Sequence, residues 1–267
     1  MRLSVVIPVF NGASVLGITM DSIVNQRFEY EFEVILVDGA STDATVHVAK
    51  SYMKKIKKLS IISRPDNSMY EAVADGLQLC SGEIHTYINA GDFFFPNAFA
   101  NAEQSFRRDE DIRWITGKKC REINNEIVPG INPTFNSLII KVGLYGPVLP
   151  YIQQEGTFWH RTLTETLDLK KLSSLRLAGD YYMWCSFAES CDLVSNDTFM
   201  ACFVVCEGQL SSDTEGYFNE MNTFTTALSA RTLLPLLNVF VTTAFATIGF
   251  YARRATGQLG YPSVPNV

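Results

Sequence analysis

Up to Arg107 the chain alternates between two hydrophobic periods. Leu3 to Val9 is a β-branched run that ends in a turn containing Pro8, and Val15, Leu16, Met20 and Ile23 then recur at helical spacing. The same order repeats three times. Phe32 to Val37 reads as a strand before a helix over Asp43 to Lys54, and Leu59 to Ser63 as a strand before a helix over Ser68 to Cys80. Ile84 to Ile88 reads as a strand before a helix over Asn97 to Arg107. Strands alternating with helices of this length predict right-handed crossovers and an α/β fold, Rossmann-like, with a mostly parallel sheet and helices on both faces.

From about Arg113 the periodicity loosens. The turn-rich NNEIVPGINPTFN and VGLYGPVLPYIQQEGTFWHR stretches predict hairpins or extended loops over the sheet edge. Ala178 to Glu189 reads as a helix with Asp180 in its first turn, and Phe199 to Val205 as a strand. Thr232 to Ala252 has no charged residue, with Arg231 before it and Arg253 and Arg254 after it. As a single helix this apolar C-terminal segment would be about 31 Å long, close to the ~30 Å of a hydrocarbon core. Pro235, Asn238, Thr242 and Gly249 line one side of it. Hydropathy leaves three readings open here: a helix on a membrane surface or docked on protein, a true span, or a buried or oligomerising helix.

Composition narrows the partners. With 267 residues, 47% of them hydrophobic, the chain can build one large domain with a smaller addition. A net charge of -6 argues against nucleic acid, whose non-specific binding needs many Lys and Arg contacts to phosphate. Lys54, Lys55, Lys57 and Lys58 form a basic run, read as a solvated helix face or as a patch for an anionic membrane. The six cysteines fall at irregular spacings without a C-x-x-C pair, which predicts buried free thiols in a reducing cytoplasm. MRLSVVIPVFNG is too short and turn-like for a signal peptide.

In an open sheet of this kind ligands bind beyond the carboxyl ends of the strands. Those ends are Pro8 to Gly12, Asp38 to Asp43, Arg64 to Ser68 and Asn89 to Asp92. PVFNG lacks the phosphate-cradling glycines of a dinucleotide fold, which disfavours NAD. Asp38, at the end of an apolar strand, can accept a hydrogen bond from a base N–H or open a turn, whereas Asp43 reads as a helix start. Asp66 and Ser68 also read as a helix start. Asp92 sits in YINAGDFFFP, beside three phenylalanines, where a carboxylate is costly to bury without a partner.

VVIPVFNG, VILVDGASTDAT, SRPDNSMYEAVADGL and YINAGD, with the later QEGTFWHR and LAGDYYMW, together resemble the bacterial family 2 glycosyltransferases of the GT-A fold. The resemblance covers roughly residues 3 to 207. It implies a GT-A domain over 1–207, with a nucleotide-sugar half at 1–112 and an acceptor half at 113–207, and a C-terminal helical extension over 208–267. It also implies an inverting, metal-dependent hexosyltransferase that moves a sugar from a nucleotide-diphosphate donor, a UDP-sugar, to a hydroxyl of a lipid-linked or polysaccharide acceptor. Pro8, Val9, Asn11, Asp38, Arg64 and Asp66 would contact the donor, with Asn89, Ala90 and Gly91 beside the diphosphate. Asp92 would hold Mg2+ or Mn2+, for which one carboxylate with phosphate oxygens and water is enough.

Asp180 would be the general base, its pKa lowered by the helix N-terminus. Gln153, Gln154 and Thr157 would line the acceptor site. His160 reads as a strand-to-helix junction in preference to a metal ligand, and Trp159 and Trp184 as core in preference to sugar platforms. The implied location is cytoplasmic, peripheral on the inner face of the cytoplasmic membrane if the apolar stretch meets lipid. A nucleotidyltransferase on a similar sheet and a non-catalytic nucleotide-binding scaffold are the competing readings.

Overall fold

The structure, a computed structural model, describes residues 1–206 and 208–256. The first half runs β1 (Leu3–Val9), α1 (Leu16–Val24), β2 (Phe32–Asp38), α2 (Thr45–Ser51), β3 (Leu59–Ser63), α3 (Met69–Leu79), β4 (Ile84–Tyr87), β5 (Phe93–Phe94) and α4 (Ala98–Arg108). The second adds β6 (Trp114–Thr116), β7 (Cys120–Ile123), β8 (Glu126–Pro129), α5 (Ser137–Lys141), β9 (Thr157–His160), α6 (Arg161–Glu165) and α7 (Leu169–Ser173). It continues with α8 (Gly179–Phe187), β10 (Val194–Ser195), β11 (Ala201–Val204), α9 (Thr214–Met221) and α10 (Ala230–Ala255). Glu207 and residues 257–267 of the expected extension lie outside the described residues.

The main sheet has the order β10-β6-β9-β4-β1-β2-β3, and all of its pairings are parallel except those of β9 with β4 and β6. Every residue of β1 is buried, as a strand must be when helices cover both faces of its sheet. Leu3, Val5, Ile7 and Val9 pack with α1 and α4, whereas Val6 packs against α3. Both layers of the expected α/β fold are thus set by the alternation along one strand.

Past Arg113 the expectation of loops over the sheet edge needs correction: β6, β9 and β10 enter the sheet itself. Trp114 and Ile115 belong to opposite cores, and a strand of three residues buried on both faces carries no period to read. Trp159 and Trp184 are fully buried, with the Trp159 indole donating to Thr164 Oγ1. His160 caps α6, accepting from the Thr162 amide. A second sheet, β5-β11-β7-β8, lies beside the first, and its β7–β8 hairpin turns at Asn124 and Asn125, both at positive φ. The six cysteines are free. Within the basic run, Lys55 lies 3.5 Å from Asp21 and Lys58 pairs with Glu31.

Gly76 marks the closest helix-to-sheet approach on the α3 side. A Cβ there would lie 2.3 Å from Val6 Cγ1, a branched atom fixed in the central strand. Exposed helix glycines usually gain about 1 kcal/mol on replacement by alanine. Gly76→Ala should do the reverse and lose about 1–3 kcal/mol through overpacking, read as a lower urea midpoint at unchanged slope.

Candidate active site

The carboxyl ends of β1, β2 and β3 form one continuous edge. Val9 lies opposite Asp38, and Asp38 opposite Ser63, in the parallel ladders. Asp38 is fully buried. Its Oδ2 accepts from the Ser41 amide at 3.1 Å and the Ser63 hydroxyl at 2.6 Å, while its Oδ1 has no partner. A turn role and a free acceptor therefore coexist on one side chain.

Asn11, at φ +48, braces the neighbouring loop through Thr42 N–H···Oδ1 and through its own amide to Ser41 Oγ. Asp43 accepts from the Thr45 and Ala13 amides, the helix-start role expected of it. Pro8 and Val9 are buried in the strand behind these loops.

Asp66 reaches the same edge because Gly39 has no side chain; a Cβ there would sit 2.8 Å from Asp66 Oδ2. Partial burial, with Glu71, Asp38 and Asp75 nearby, pushes the Asp66 carboxyl above its usual range. Ser68, not Asp66, caps α3, accepting from the Glu71 amide. Arg64 is exposed and bound to the Asp75 carboxylate, away from the cavity described next.

That cavity, of about 480 Å³, opens beside the end of β4. Asn89, Ala90, Asp92 and Asp180 all line it, together with Tyr70, Gln153, Gln154 and Glu155, and the Glu155 carboxyl is close enough to feel the charge of Asp180 and to act on Asp92. The Asp92 turn is clamped from α1: the Gly91 amide donates to Thr19 Oγ1 at 2.8 Å, and that hydroxyl donates to the Asp92 carbonyl at 2.7 Å. Gly91 adopts φ +106, a conformation only glycine takes readily. The three phenylalanines anchor the turn by facing alternate ways, Phe93 and Phe95 into a small core with Cys120 and Cys202, Phe94 against Phe99 and Phe158.

Asp92 is almost fully buried. Its Oδ1 accepts from the Val204 amide at 2.8 Å. Burial, and then the charge of Glu155, hold its carboxyl well above the usual range. Nearby, Asn89 Oδ1 is a buried oxygen without a donor. A buried carboxyl group with no salt-bridge partner among the described residues, near an orphaned amide oxygen, is an all-oxygen donor set, which fits a hard divalent ion. No group of three His, Cys, Asp or Glu side chains could hold a metal alone among the described residues, so a ligand's oxygens and water have to complete the shell.

Asp180 sits at the second position of α8, and its environment overturns the expected pKa. Burial pushes the carboxyl up to about 6, opposed by hydrogen bonds from the Tyr181 amide, Tyr217 and Tyr70. Desolvation outweighs the helix N-terminus because the carboxylate lies inside a cavity instead of on a solvated surface. Tyr181 N and Tyr217 Oη donate to Oδ1 at 2.7 and 3.1 Å, and Tyr70 Oη lies 3.3 Å from it with its one proton shared with the Leu177 carbonyl at 3.2 Å. Oδ2 keeps no donor among the described residues and is not sealed in. Gly179 is required by the same packing, since a Cβ would lie 2.4 Å from the Tyr70 ring.

Of the expected acceptor residues, Gln153 and Gln154 line the cavity, whereas Thr157 is buried at the start of β9 and its hydroxyl donates to the Gln153 carbonyl at 2.7 Å. Sequence reasoning missed Glu155, whose carboxyl burial raises to about 7; an acid inside the otherwise polar-apolar QQEGTFW run was the signal. It also missed the cations. Lys119, Arg121 and Arg176 line the cavity, and among the described residues none of them forms a salt bridge. Burial and the Arg121 charge lower the Lys119 pKa to about 8.

A family model described as Glycosyl transferase family 2 matches residues 4–174, and the chain belongs to that family. A poly(ribitol-phosphate) beta-glucosyltransferase of Bacillus spizizenii is 30% identical over 132 residues, 48% of this chain and 20% of that protein. A PGL/p-HBAD biosynthesis glycosyltransferase of Mycobacterium bovis is 36% identical over 93 residues, 34% of this chain and 36% of that protein. The matched regions thus span only about a fifth to a third of these relatives. Among solved structures, S. aureus TarS 1-349 in complex with UDP-GlcNAc aligns with a TM-score of 0.63 at 18% identity, covering 84% of this chain and 65% of that one. The mannosyltransferase PcManGT from Pyrobaculum calidifontis, in complex with GDP-Man and Mn2+, aligns with a TM-score of 0.63 at 16% identity, covering 98% and 77%. The fold is the expected GT-A fold.

The raised Asp180 pKa carries a stability cost with a definite sign. The unfolded carboxyl ionises near 3.8 and the folded one near 6, so the cost is absent below about pH 4, grows between these values and is complete above about pH 6. Asp180→Asn should therefore be more stable than the parent at pH 8, by about 1–2 kcal/mol after allowance for the open side of the group. Urea denaturation at pH 4 should show no such gain.

Proposed function

We propose that the protein is an inverting, metal-dependent glycosyltransferase using a nucleotide-diphosphate sugar, a UDP-sugar, as donor and a hydroxyl of a polysaccharide or lipid-linked glycan as acceptor. The observation that carries this reading is that Asp92 and Asp180 line one and the same cavity. Two carboxyl groups there can divide the two jobs of the reaction, holding a leaving diphosphate and removing a proton. The free Oδ1 of Asp38 matches a base N–H, with Pro8, Val9 and Asn11 around the nucleoside and Asp66 beside it. The neighbours crystallised with UDP-GlcNAc and with GDP-Man and Mn2+ support donor chemistry of this class.

Asp92 and Asn89 would hold Mg2+ or Mn2+, which when bound neutralises charge on the departing diphosphate. Ala90 and Gly91 leave room for phosphate to approach the backbone. Lys119, Arg121 and Arg176 add positive potential in the same cavity, a task the sequence assigned to Arg64, which here is held by Asp75. Asp180 Oδ2 takes the acceptor hydroxyl proton as that oxygen bonds to the anomeric carbon, and the bond from that carbon to the diphosphate breaks on the opposite side. Oδ1, fixed by three donors, keeps the carboxylate from turning.

Membrane contact belongs to the same reading. Leu233, Leu237, Phe240, Val241, Phe245, Ile248 and Tyr251 recur along one side of α10, and all are exposed. Only 6% of its most apolar window is buried. Arg253 and Arg254 follow, each worth about 1 kcal/mol near an anionic surface. We infer a peripheral enzyme on the cytoplasmic face, its α10 lying in the lipid interface.

With Mn2+ or Mg2+, a UDP-sugar and a polyol-phosphate or glycan acceptor, the protein should release UDP. Asp180→Asn should cut release about a hundred- to ten-thousandfold, and Asp92→Asn about a hundredfold or more. The acid limb of kcat/KM should fall near pH 6, where Asp180 takes up its proton. Nucleotide binding without release under every donor would instead identify the non-catalytic reading, and pyrophosphate release from a nucleoside triphosphate the nucleotidyltransferase. In a separate measurement, the protein should float with phosphatidylglycerol vesicles, and Phe240→Glu with Phe245→Glu should leave it at the bottom of the gradient. Equal flotation of parent and double variant would remove α10 from the membrane contact.

A further inference from the structure

Two residues of α9 reach back to Asp180 or to the turn before it, Tyr217 from the cavity wall and Glu220 behind it, and neither belongs to a motif of the first half or to the matched segment 4–174. The Glu220 carboxylate accepts from three consecutive backbone amides, Arg176 at 2.8 Å, Leu177 at 2.7 Å and Ala178 at 2.6 Å. These are the amides that enter α8, two positions before Asp180. Charge-assisted bonds of this length are about twice as strong as neutral ones, and three on one carboxylate fix both the path and the tilt of the turn. Three residues earlier on the same helix face, Tyr217 donates to Asp180 Oδ1.

The seating of α9 is itself specified. Asp213 caps it through the Gly216 amide at 2.9 Å. Gly216 lets the helix touch the turn, since a Cβ there would lie 2.7 Å from Leu177 Cδ1. Met221 enters the core that also holds Tyr70, Tyr181 and Trp184.

We propose that α9 is a strut for the catalytic base, with Glu220 and Tyr217 as positioning residues that set the place and the orientation of the Asp180 carboxylate. This rests on the reading of Asp180 as the base. Glu220 fixes where the carboxylate stands by holding residues 176–178, and Tyr217 fixes how it faces by holding Oδ1. The Tyr217 hydroxyl stays a donor throughout the working range, because burial and the Asp180 charge keep its pKa well above 10. The other groups around Asp180 are Tyr70 from α3, Tyr87 from β4, Tyr151 and Glu155 from the segment before β9, and Tyr181 of α8. Of these, the Tyr70 hydroxyl and the Tyr181 amide share Oδ1 with Tyr217.

Full-length Tyr217→Phe keeps the ring that packs on Tyr151 and Phe218 and removes only the hydroxyl. It should lower kcat about tenfold at pH 7, move the acid limb of the pH profile up by about one unit and leave the donor KM within about twofold. Glu220→Gln retains an acceptor and should lower kcat less than Glu220→Ala, again at constant donor KM; nucleotide affinity by calorimetry confirms that each variant is folded. A wild-type acid limb and rate in Tyr217→Phe, with Asp180→Asn inactive, would overturn the strut. Full transfer by Asp180→Asn would instead remove the assignment of the base and leave the donor site standing.

Discussion

In the parallel ladders of β1, Val9 stands opposite Asp38 and Val6 opposite Tyr87, and that register decides what meets at the carboxyl edge. A shift of one residue would turn Val6 away from Gly76 and bring the other face of the strand against α3. With the register fixed, Asp38 ends its strand beside Ser63, the Asn11 loop meets the 41–45 loop, and the turn after β4 comes down onto Thr19. The polar edge is therefore a consequence of how an apolar strand is packed. Nothing in the polar residues themselves could have gathered them there.

The carboxylates on this edge live in different surroundings and are suited to different work. Asp38 is buried but doubly hydrogen-bonded on one oxygen, which offsets part of the cost of burying a polar group. Asp92 has one amide donor and the charge of Glu155 close by, so it lacks a cation more than the others do. Asp180 lies between: three donors hold the anion, yet burial still lifts it to about 6. A carboxyl that titrates near neutrality combines proton affinity with a substantial ionised fraction. The tyrosine hydroxyls set this balance, and they arrive from α3 and α9, elements far apart in the chain.

How much of this was legible in the sequence follows the physics of each element. From β1 to α4 every element but the two-residue β5 was legible, because long strands and helices repeat their periods and the turn residues stand where strands end. Asp92 was legible for a different reason, as a charge beside three phenylalanines. β6 and β9 were not, since three or four residues buried on both faces show no alternation. Lys119 and Arg121 lie on a short hairpin whose direction depends on β11, which pairs with β5 just after Asp92. Tyr217 and Glu220 act through a tertiary contact about forty residues from Asp180, a distance at which no local pattern operates. The Asp180 pKa was misjudged because a helix terminus is visible in sequence and a cavity wall is not.

The position of α9 bears on where the chain can be shortened. Between Met221 and Ala230 lie only a few residues, one of which, Thr226, is tied to the Lys141 carbonyl. α10 and the residues that hold the Asp180 turn are thus joined by a narrow seam. A truncation near residue 207, the apparent end of the motif-bearing region, would retain every recognisable sequence signature and lose Tyr217, Glu220 and Met221 from behind Asp180. Such a protein could bind nucleotide and still be mistaken for an inactive relative. A cut after Thr226 keeps α9 but removes Val239 of α10 from the core that holds Tyr70, Tyr181 and Trp184, with Leu236 packed beside it, so the exposed face of α10 is to be changed by substitution and not by removing the helix.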